Sequence, residues 1–144
     1  MTPDDLADAV LRSVARLNRW ATIRASWELP PAQIRLLALI EELEPVRVTD
    51  LAQADHTSQP GITVQVNRLD AAGLVTRTPD AGDARVHRVG TTPEGRELLA
   101  RMRTARAAIL APAFAHLDAA DLAAIERAQQ VLSSIIDEPP AGAR

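Results

Sequence analysis

The sequence predicts a mainly α-helical fold that carries a small β-hairpin wing. Only three of its 144 residues are aromatic although 47% are apolar, so the core must consist mostly of Leu, Val, Ile and Ala. Residues 48–96 follow the order strand, helix, helix, hairpin, helix, and apolar residues recur at helical spacing on both sides of this segment. A helix that ends at a glycine and leads into a short arginine-tipped hairpin is typical of a winged helix-turn-helix, here flanked by N- and C-terminal helices.

The first 45 residues predict two helices. Thr2 is a suitable N-cap and Pro3 a suitable first residue for a helix over residues 3–25. The predicted apolar face of this helix consists of Leu6, Val10, Val14, Leu17 and Ala21. Pro31 opens a second helix, which Pro45 ends, and residues 46–48 then predict a short strand.

Two short helices follow. We expect Thr49 to cap a third helix over residues 50–54 and Ser58 to cap a fourth, whose first turn tolerates Pro60. Gly73 suits the left-handed position that closes a helix. The predicted buried face of the fourth helix consists of Ile62, Val66 and Leu69. Its polar side chains then lie on the opposite, solvent-exposed face.

A hairpin and two further helices complete the chain. Residues 74–78 and 86–91 predict two strands joined by turn-forming residues. Pro93 restarts a helix that extends to about Ala115, and Asp118 caps the last helix. The residues of this last helix expected to point inward are Leu122, Ile125, Leu132 and Ile136. We expect the tail, residues 138–144, to be frayed.

Several classes of function are excluded or disfavoured by composition. The absence of cysteine excludes disulfides and thiolate zinc sites within this chain. The three histidines, His56, His87 and His116, lack the spacing of a metal motif, and no catalytic signature is present, so we predict no cofactor, no metal and no enzyme. No apolar run reaches the ~18 residues of a membrane span, and the polar N-terminus is not a signal peptide, which predicts a cytoplasmic protein without a membrane partner.

Four phrases carry a resemblance to a known family. They are Leu51-Ala52 in the third helix, Leu69-Asp70-Ala71-Ala72-Gly73-Leu74-Val75-Thr76-Arg77, Asp83-Ala84-Arg85 and Thr92-Pro93-Glu94-Gly95-Arg96. Because these phrases occur together at this spacing, the chain resembles the multiple antibiotic resistance regulator (MarR) family of transcription factors. The resemblance implies a single MarR-like domain over residues 1–144, with a winged helix-turn-helix at 29–96. It also implies an obligate homodimer in which residues 1–28 and 97–138 form dimerisation helices.

The resemblance further implies a repressor that binds a roughly palindromic operator in double-stranded DNA and is released by a small aromatic or phenolic ligand. Arg85 would enter the minor groove and Asp83 would orient it, while Arg77 would either reach a phosphate or pair with acids of the wing. The residues that would face the major groove and its phosphates are Ser58, Gln59, Pro60, Gly61, Thr63, Val64, Asn67 and Arg68. Val64 replaces a residue that is often basic in the family and is suited to contact a thymine methyl.

Other interpretations remain open from the sequence. Trp20 and Trp27 are candidates for a ligand pocket, although core or interface positions explain them as well. The protein is alternatively a winged-helix DNA-binding dimer without a small-molecule ligand. A protein-interaction winged helix is a further alternative, because residues 46–96 contain equal numbers of arginines and acids. The arginines expected on solvated faces are Arg47, Arg96, Arg101, Arg103 and Arg106, and a position near the DNA backbone is the alternative for the first two.

Overall fold

The computed structural model describes residues 1–138, which form six helices and three short strands. The helices are α1 (Pro3–Arg24), α2 (Pro31–Leu43), α3 (Val48–Ala54), α4 (Gln59–Ala71), α5 (Pro93–Phe114) and α6 (Ala119–Asp137). The strands are β1 (Val46–Arg47), β2 (Val75–Pro79) and β3 (His87–Thr91). This confirms the predicted fold class. The expected frayed tail lies, beyond its first residue, outside the described residues.

The chain divides into two compact units within α5, the first spanning residues 1–107 and the second beginning at Ala108. The first unit holds the aliphatic core, to which α2, α3, α4, the sheet and the first half of α5 all contribute. The largest fully buried side chains are Leu37, Ile40, Leu51, Ile62, Leu69, Leu99, Val66 and Val89. No helix of residues 1–138 combines the length and the apolar character needed to span a membrane.

The wing is a three-stranded antiparallel sheet in the order β1-β3-β2. The central strand β3 pairs Val89 with both Val46 of β1 and Arg77 of β2. Val89 is completely buried, so this middle position anchors the sheet on the core. The wing is therefore joined to the rest of the unit both through β1 and through its own central residue.

Capping residues set the ends of α4 largely as predicted. The Ser58 hydroxyl accepts a hydrogen bond from the Gly61 amide at 3.2 Å. Gly73 has a φ of 73°, the left-handed conformation that glycine adopts most readily, and it closes the helix. The apolar face of α4 is buried as expected. Short helix α3 differs from expectation, because it starts at Val48 and no side chain caps it.

The first hairpin strand begins one residue later than predicted. Leu74 donates its amide to the Leu69 carbonyl, in the turn that closes α4. Its own carbonyl accepts from the Thr92 amide at 3.1 Å, at the entry to α5. Both polar backbone groups of Leu74 thus form hydrogen bonds at helix ends, and regular strand pairing starts at Val75.

Apolar side chains remain exposed on two helices. In α1, Leu6, Val14 and Leu17 are about half exposed within the single chain. The residues of α6 predicted to point inward, Leu122, Ile125, Leu132 and Ile136, are 37–72% exposed, and α6 has no buried residue at all. The predicted inward placement is therefore wrong for one chain alone, since helical periodicity identifies an apolar face but not the surface that covers it.

The glycine of the Thr-Pro-Glu-Gly-Arg phrase is a close-packing position. A Cβ added at Gly95 would lie 3.1 Å from the Leu74 carbonyl carbon and still closer to its oxygen. We predict that Gly95→Ala lowers the free energy of unfolding by about 1–3 kcal/mol, because backbone must move to admit the methyl group. Urea denaturation at fixed protein concentration measures this change.

Gly82→Ala is the matched control, since its added Cβ would come no nearer than 3.4 Å to any atom. An unchanged urea midpoint in Gly95→Ala would contradict the packing argument.

Candidate nucleic-acid interface

The outer face of α4 consists of the residues that the sequence assigned to the major groove. Gln59, Pro60, Val64, Asn67 and Arg68 are exposed, as is the capping residue Ser58, whereas Gly61 and Thr63 are partly buried. These side chains share one surface because the opposite face of α4 is held in the core. The helix therefore presents a mixture of amides, hydroxyls and one arginine to solvent.

Two residues of this face have constrained chemistry. Thr63 donates its hydroxyl to the Gln59 carbonyl at 2.9 Å, so its oxygen is left as an acceptor. Val64 is 48% exposed, which leaves an apolar side chain in the middle of a polar surface. Such a residue complements a thymine methyl group in a major groove.

Arg77 joins β2 to α4. Its Nη2 donates a hydrogen bond to Asn67 Oδ1, and its Nε lies 3.5 Å from Asp70 Oδ2. Of the two alternatives drawn from the sequence, pairing is the one seen here, but the partners belong to α4 instead of the wing. The arginine therefore couples the outer face of α4 to the first strand of the hairpin.

The hairpin tip orients one arginine toward solvent. Asp83 Oδ1 accepts from the amide and the Nε of Arg85 at 3.0 and 3.1 Å, and Asp83 Oδ2 accepts from its Nη2 at 3.2 Å. The Arg85 side chain is nevertheless 91% exposed. Hydrogen bonds from this side chain and this amide hold the pKa of Asp83 below its usual range. Asp83 is thus a charged support that fixes the direction of Arg85.

Asp80 is a functional candidate that sequence inspection missed. Its side chain is only 4% exposed and pairs with both Arg88 and Arg47, the latter at 3.1 Å. It also accepts from the amides of Gly82 and Asp83 at 3.1 and 3.3 Å. One buried carboxylate therefore shapes the turn and fastens it to two strands. The hydrogen bond from Arg88 in particular lowers the pKa of Asp80.

A second polar cluster fixes the other end of β3. Glu44 Oε2 accepts from the Thr91 amide and from its hydroxyl, the latter at 2.7 Å, and Arg96 lies 3.4 Å from Glu44 Oε1. Burial opposes ionisation of Glu44, but the hydrogen bonds from Thr91 and the charge of Arg96 outweigh it and lower its pKa. The expectation that Arg47 and Arg96 are simply solvated is therefore corrected, because both are half-exposed partners of carboxylates.

A cleft of about 330 Å³ lies among α1, α2 and α5 of the first unit. Trp27 lines it and donates its indole N–H to the Thr22 carbonyl at 2.8 Å. Trp20 lies outside the lining and stacks under Arg24, whose guanidinium carbon is 4.5 Å from the ring centre. Within residues 1–138 the lining contains no acid, but it contains four arginines: Arg19, Arg35, Arg103 and Arg106.

Comparison with known proteins identifies a family and solved structures that this chain resembles. Residues 27–86, from Trp27 to just past the hairpin tip, match the family model described as MarR family. Over this segment the chain is similar to the MarR family. This similarity supports a DNA-binding transcriptional regulator. Among residues 1–138, no group of three or more acidic or histidine side chains is arranged to hold a metal ion.

Solved structures share the fold over nearly the whole chain. A Pseudomonas aeruginosa protein has a TM-score of 0.74 at 28% identity, over 96% of this chain and 99% of that one. A MarR family protein from Bacillus stearothermophilus has a TM-score of 0.72 at 21% identity, over 96% and 99%. FabT of Streptococcus pneumoniae, solved in complex with DNA, has a TM-score of 0.58 at 14% identity, over 93% and 94%. Among curated proteins no sequence matches the chain.

The buried carboxylate of the wing has a measurable local role. We predict that Asp80→Asn makes the Gly82 and Asp83 amides exchange hydrogen roughly tenfold faster, because the charged acceptor of these amides is lost. Hydrogen exchange followed by NMR or mass spectrometry reports on these positions. Unchanged exchange in this turn would show that Asp80 does not order it.

Asp80→Asn should also change how the free energy of unfolding depends on pH. The pKa of Asp80 is lower in the folded protein than the unfolded value of about 3.9. Its stabilising effect is therefore complete above that unfolded value and is lost as the pH falls through the folded one. Wild type should exceed Asp80→Asn in stability at pH 7, and the difference should shrink below about pH 4. Asp50→Asn, at an exposed position of α3, is the control.

Proposed function

We propose that this protein is a homodimeric repressor that binds a roughly palindromic operator and releases it when an aromatic ligand enters the cleft. In this proposal α4 enters the major groove and Arg85 enters the adjacent minor groove. The observation that carries the proposal is the combination of an exposed polar face on a firmly buried helix with an arginine held outward by Asp83. The DNA complex of the structurally similar FabT supports the same use of this fold.

Exposed apolar side chains support the dimer. Leu6, Val14 and Leu17 of α1 and the apolar residues of α6 would leave large hydrophobic surfaces in water if the chain were monomeric. A second copy of the chain buries both sets, and its two-fold symmetry matches a palindromic site. The two recognition helices then contact half-sites about 34 Å apart, one turn of DNA.

Arginine chemistry supports DNA contact in spite of the net charge of −3. The acids of the wing are already paired: Asp80 with Arg47 and Arg88, and Asp83 with Arg85. A DNA phosphate or a narrow minor groove competes with Asp83 for the exposed side of Arg85. Affinity should accordingly be moderate and should decrease with salt.

The cleft supports a ligand that is both aromatic and anionic. Trp27, Ile34 and Met102 provide apolar surface, and four arginines surround it. Arg106 Nε is buried without a hydrogen-bond partner among the described residues, so a donor is available to an acid group. A ligand that favours the DNA-incompetent dimer would shift the population away from DNA.

Operator binding is tested with DNA from upstream of the protein's own gene. We predict salt-dependent binding by fluorescence anisotropy, tighter than to scrambled DNA. Arg85→Ala should weaken it roughly tenfold, equivalent to about 1.4 kcal/mol, and should lower the salt dependence by about one ion. The double variant Asp83→Asn, Arg85→Ala separates the lost arginine contact from repulsion by an uncovered aspartate.

Arg12→Ala is the matched control, because Arg12 also forms an exposed pair with an aspartate, at 2.8 Å on α1. Its affinity for DNA should equal that of wild type. Absence of DNA affinity at low salt would overturn the proposal and favour a protein-binding winged helix.

Ligand binding is tested in Trp20→Phe, where Trp27 is the single remaining tryptophan. We predict saturable quenching of Trp27 fluorescence by benzoate and weaker quenching by benzamide, its neutral analogue, because the cleft is lined by arginines. Bound benzoate should also lower affinity for DNA. Arg106→Met should reduce the preference for benzoate over benzamide.

Equal responses to benzoate and benzamide would contradict an anionic ligand. The absence of saturable quenching across a panel of phenols and aromatic acids would instead favour a DNA-binding dimer that has no small-molecule ligand.

A further inference from the structure

The contact between Arg77 and Asn67 fixes the direction of an amide on the outer face of α4. Arg77 Nη2 donates to Asn67 Oδ1. Arginine has donors and no acceptor, so the amide oxygen must be the atom that faces it. The Asn67 amino group then points away from the arginine, on a side chain that is exposed to solvent.

Arg77 is held in this position from a second side. Asp70, three residues after Asn67 on α4, places Oδ2 3.5 Å from Arg77 Nε. The Arg77 side chain is 29% exposed, so it lies between the strand and the helix instead of extending freely into solvent. Two groups of the same helix therefore hold the guanidinium beside the Asn67 oxygen.

This arrangement changes which base Asn67 can read. A free asparagine pairs with adenine by accepting from N6 and donating to N7 at the same time. The hydrogen bond from Arg77 uses one of the two lone pairs of Oδ1, the atom that would accept from N6. A second donor approaching this oxygen would also meet the positive guanidinium. The Nδ2 amino group remains, and it suits an edge composed of acceptors.

Guanine presents such an edge, since both its N7 and O6 are acceptors in the major groove. We infer that Arg77 is a positioning residue that makes Asn67 a reader of guanine and turns it away from adenine. The inference rests on the proposed function, because it requires α4 to lie in the major groove. It assigns to Arg77 a part in base selection that differs from a phosphate contact, which would leave sequence preference unchanged.

The test is selection of binding sites from a randomised double-stranded DNA library by the full-length protein. Wild type should prefer guanine at one position of each half-site, and Asn67→Ala should remove the preference at that position alone. Arg77→Met keeps much of the side-chain volume but has no donor. It should shift this position from guanine toward adenine by roughly tenfold. Arg77→Lys keeps a donor and the charge, and it should retain guanine.

A second measurement alters the DNA and leaves Arg77 in place, so it does not depend on the folding of a variant at position 77. Replacing the selected guanine by 7-deazaguanine removes the N7 acceptor. This should weaken binding by wild type and leave binding by Asn67→Ala unchanged.

Three results would overturn the inference: adenine as the wild-type preference at the position that depends on Asn67, no position that depends on Asn67, or a uniform loss of affinity in Arg77→Met without a change of base. These differ from failure of the proposed function, in which wild type shows no salt-dependent affinity for any DNA.

Discussion

Burial of one face of α4 is the constraint on which the candidate interface depends. Ile62, Val66 and Leu69 are at most 2% exposed, and each buried side chain of this kind contributes about 1.5–3 kcal/mol. Because these three residues fix the rotation of the helix, its polar face has no other direction than outward. The same core fixes β3 through Val89, so the helix and the wing share one rigid support.

Paired charges then give the wing its shape. Asp80 accepts hydrogen bonds from two arginines and two backbone amides, which a neutral turn residue could not hold as firmly. Internal pairing involves three of the six acids of residues 46–96, namely Asp70, Asp80 and Asp83, and so explains part of the charge balance that favoured a protein-binding role. In an argument from net charge, the negative charge of Asp80 disfavours DNA binding. Its position, however, makes it a support for the arginine-tipped hairpin.

Local patterns predicted what local forces determine. The cap at Ser58, the closing Gly73 and the buried face of α4 all depend on residues within a few positions, and all were predictable. One partner of Asp80, Arg47, is 33 residues away, and the other, Arg88, becomes a neighbour only when the hairpin forms, so Asp80 resembled an ordinary turn residue in the sequence. Arg77 was undecided for the same reason, since its partners become neighbours only after β2 folds against α4.

In the proposed function, the cleft connects these parts. Its walls come from α1, α2 and α5, and α2 also packs against α4. In the proposed dimer, α1 and α5 belong to the dimerisation region, while α4 carries the DNA-contacting surface. A ligand bound among α1, α2 and α5 would therefore affect the packing that connects the dimer interface to the recognition helix α4. Since half-sites are a fixed helical turn apart, a small change in that link is enough to prevent both helices from binding together.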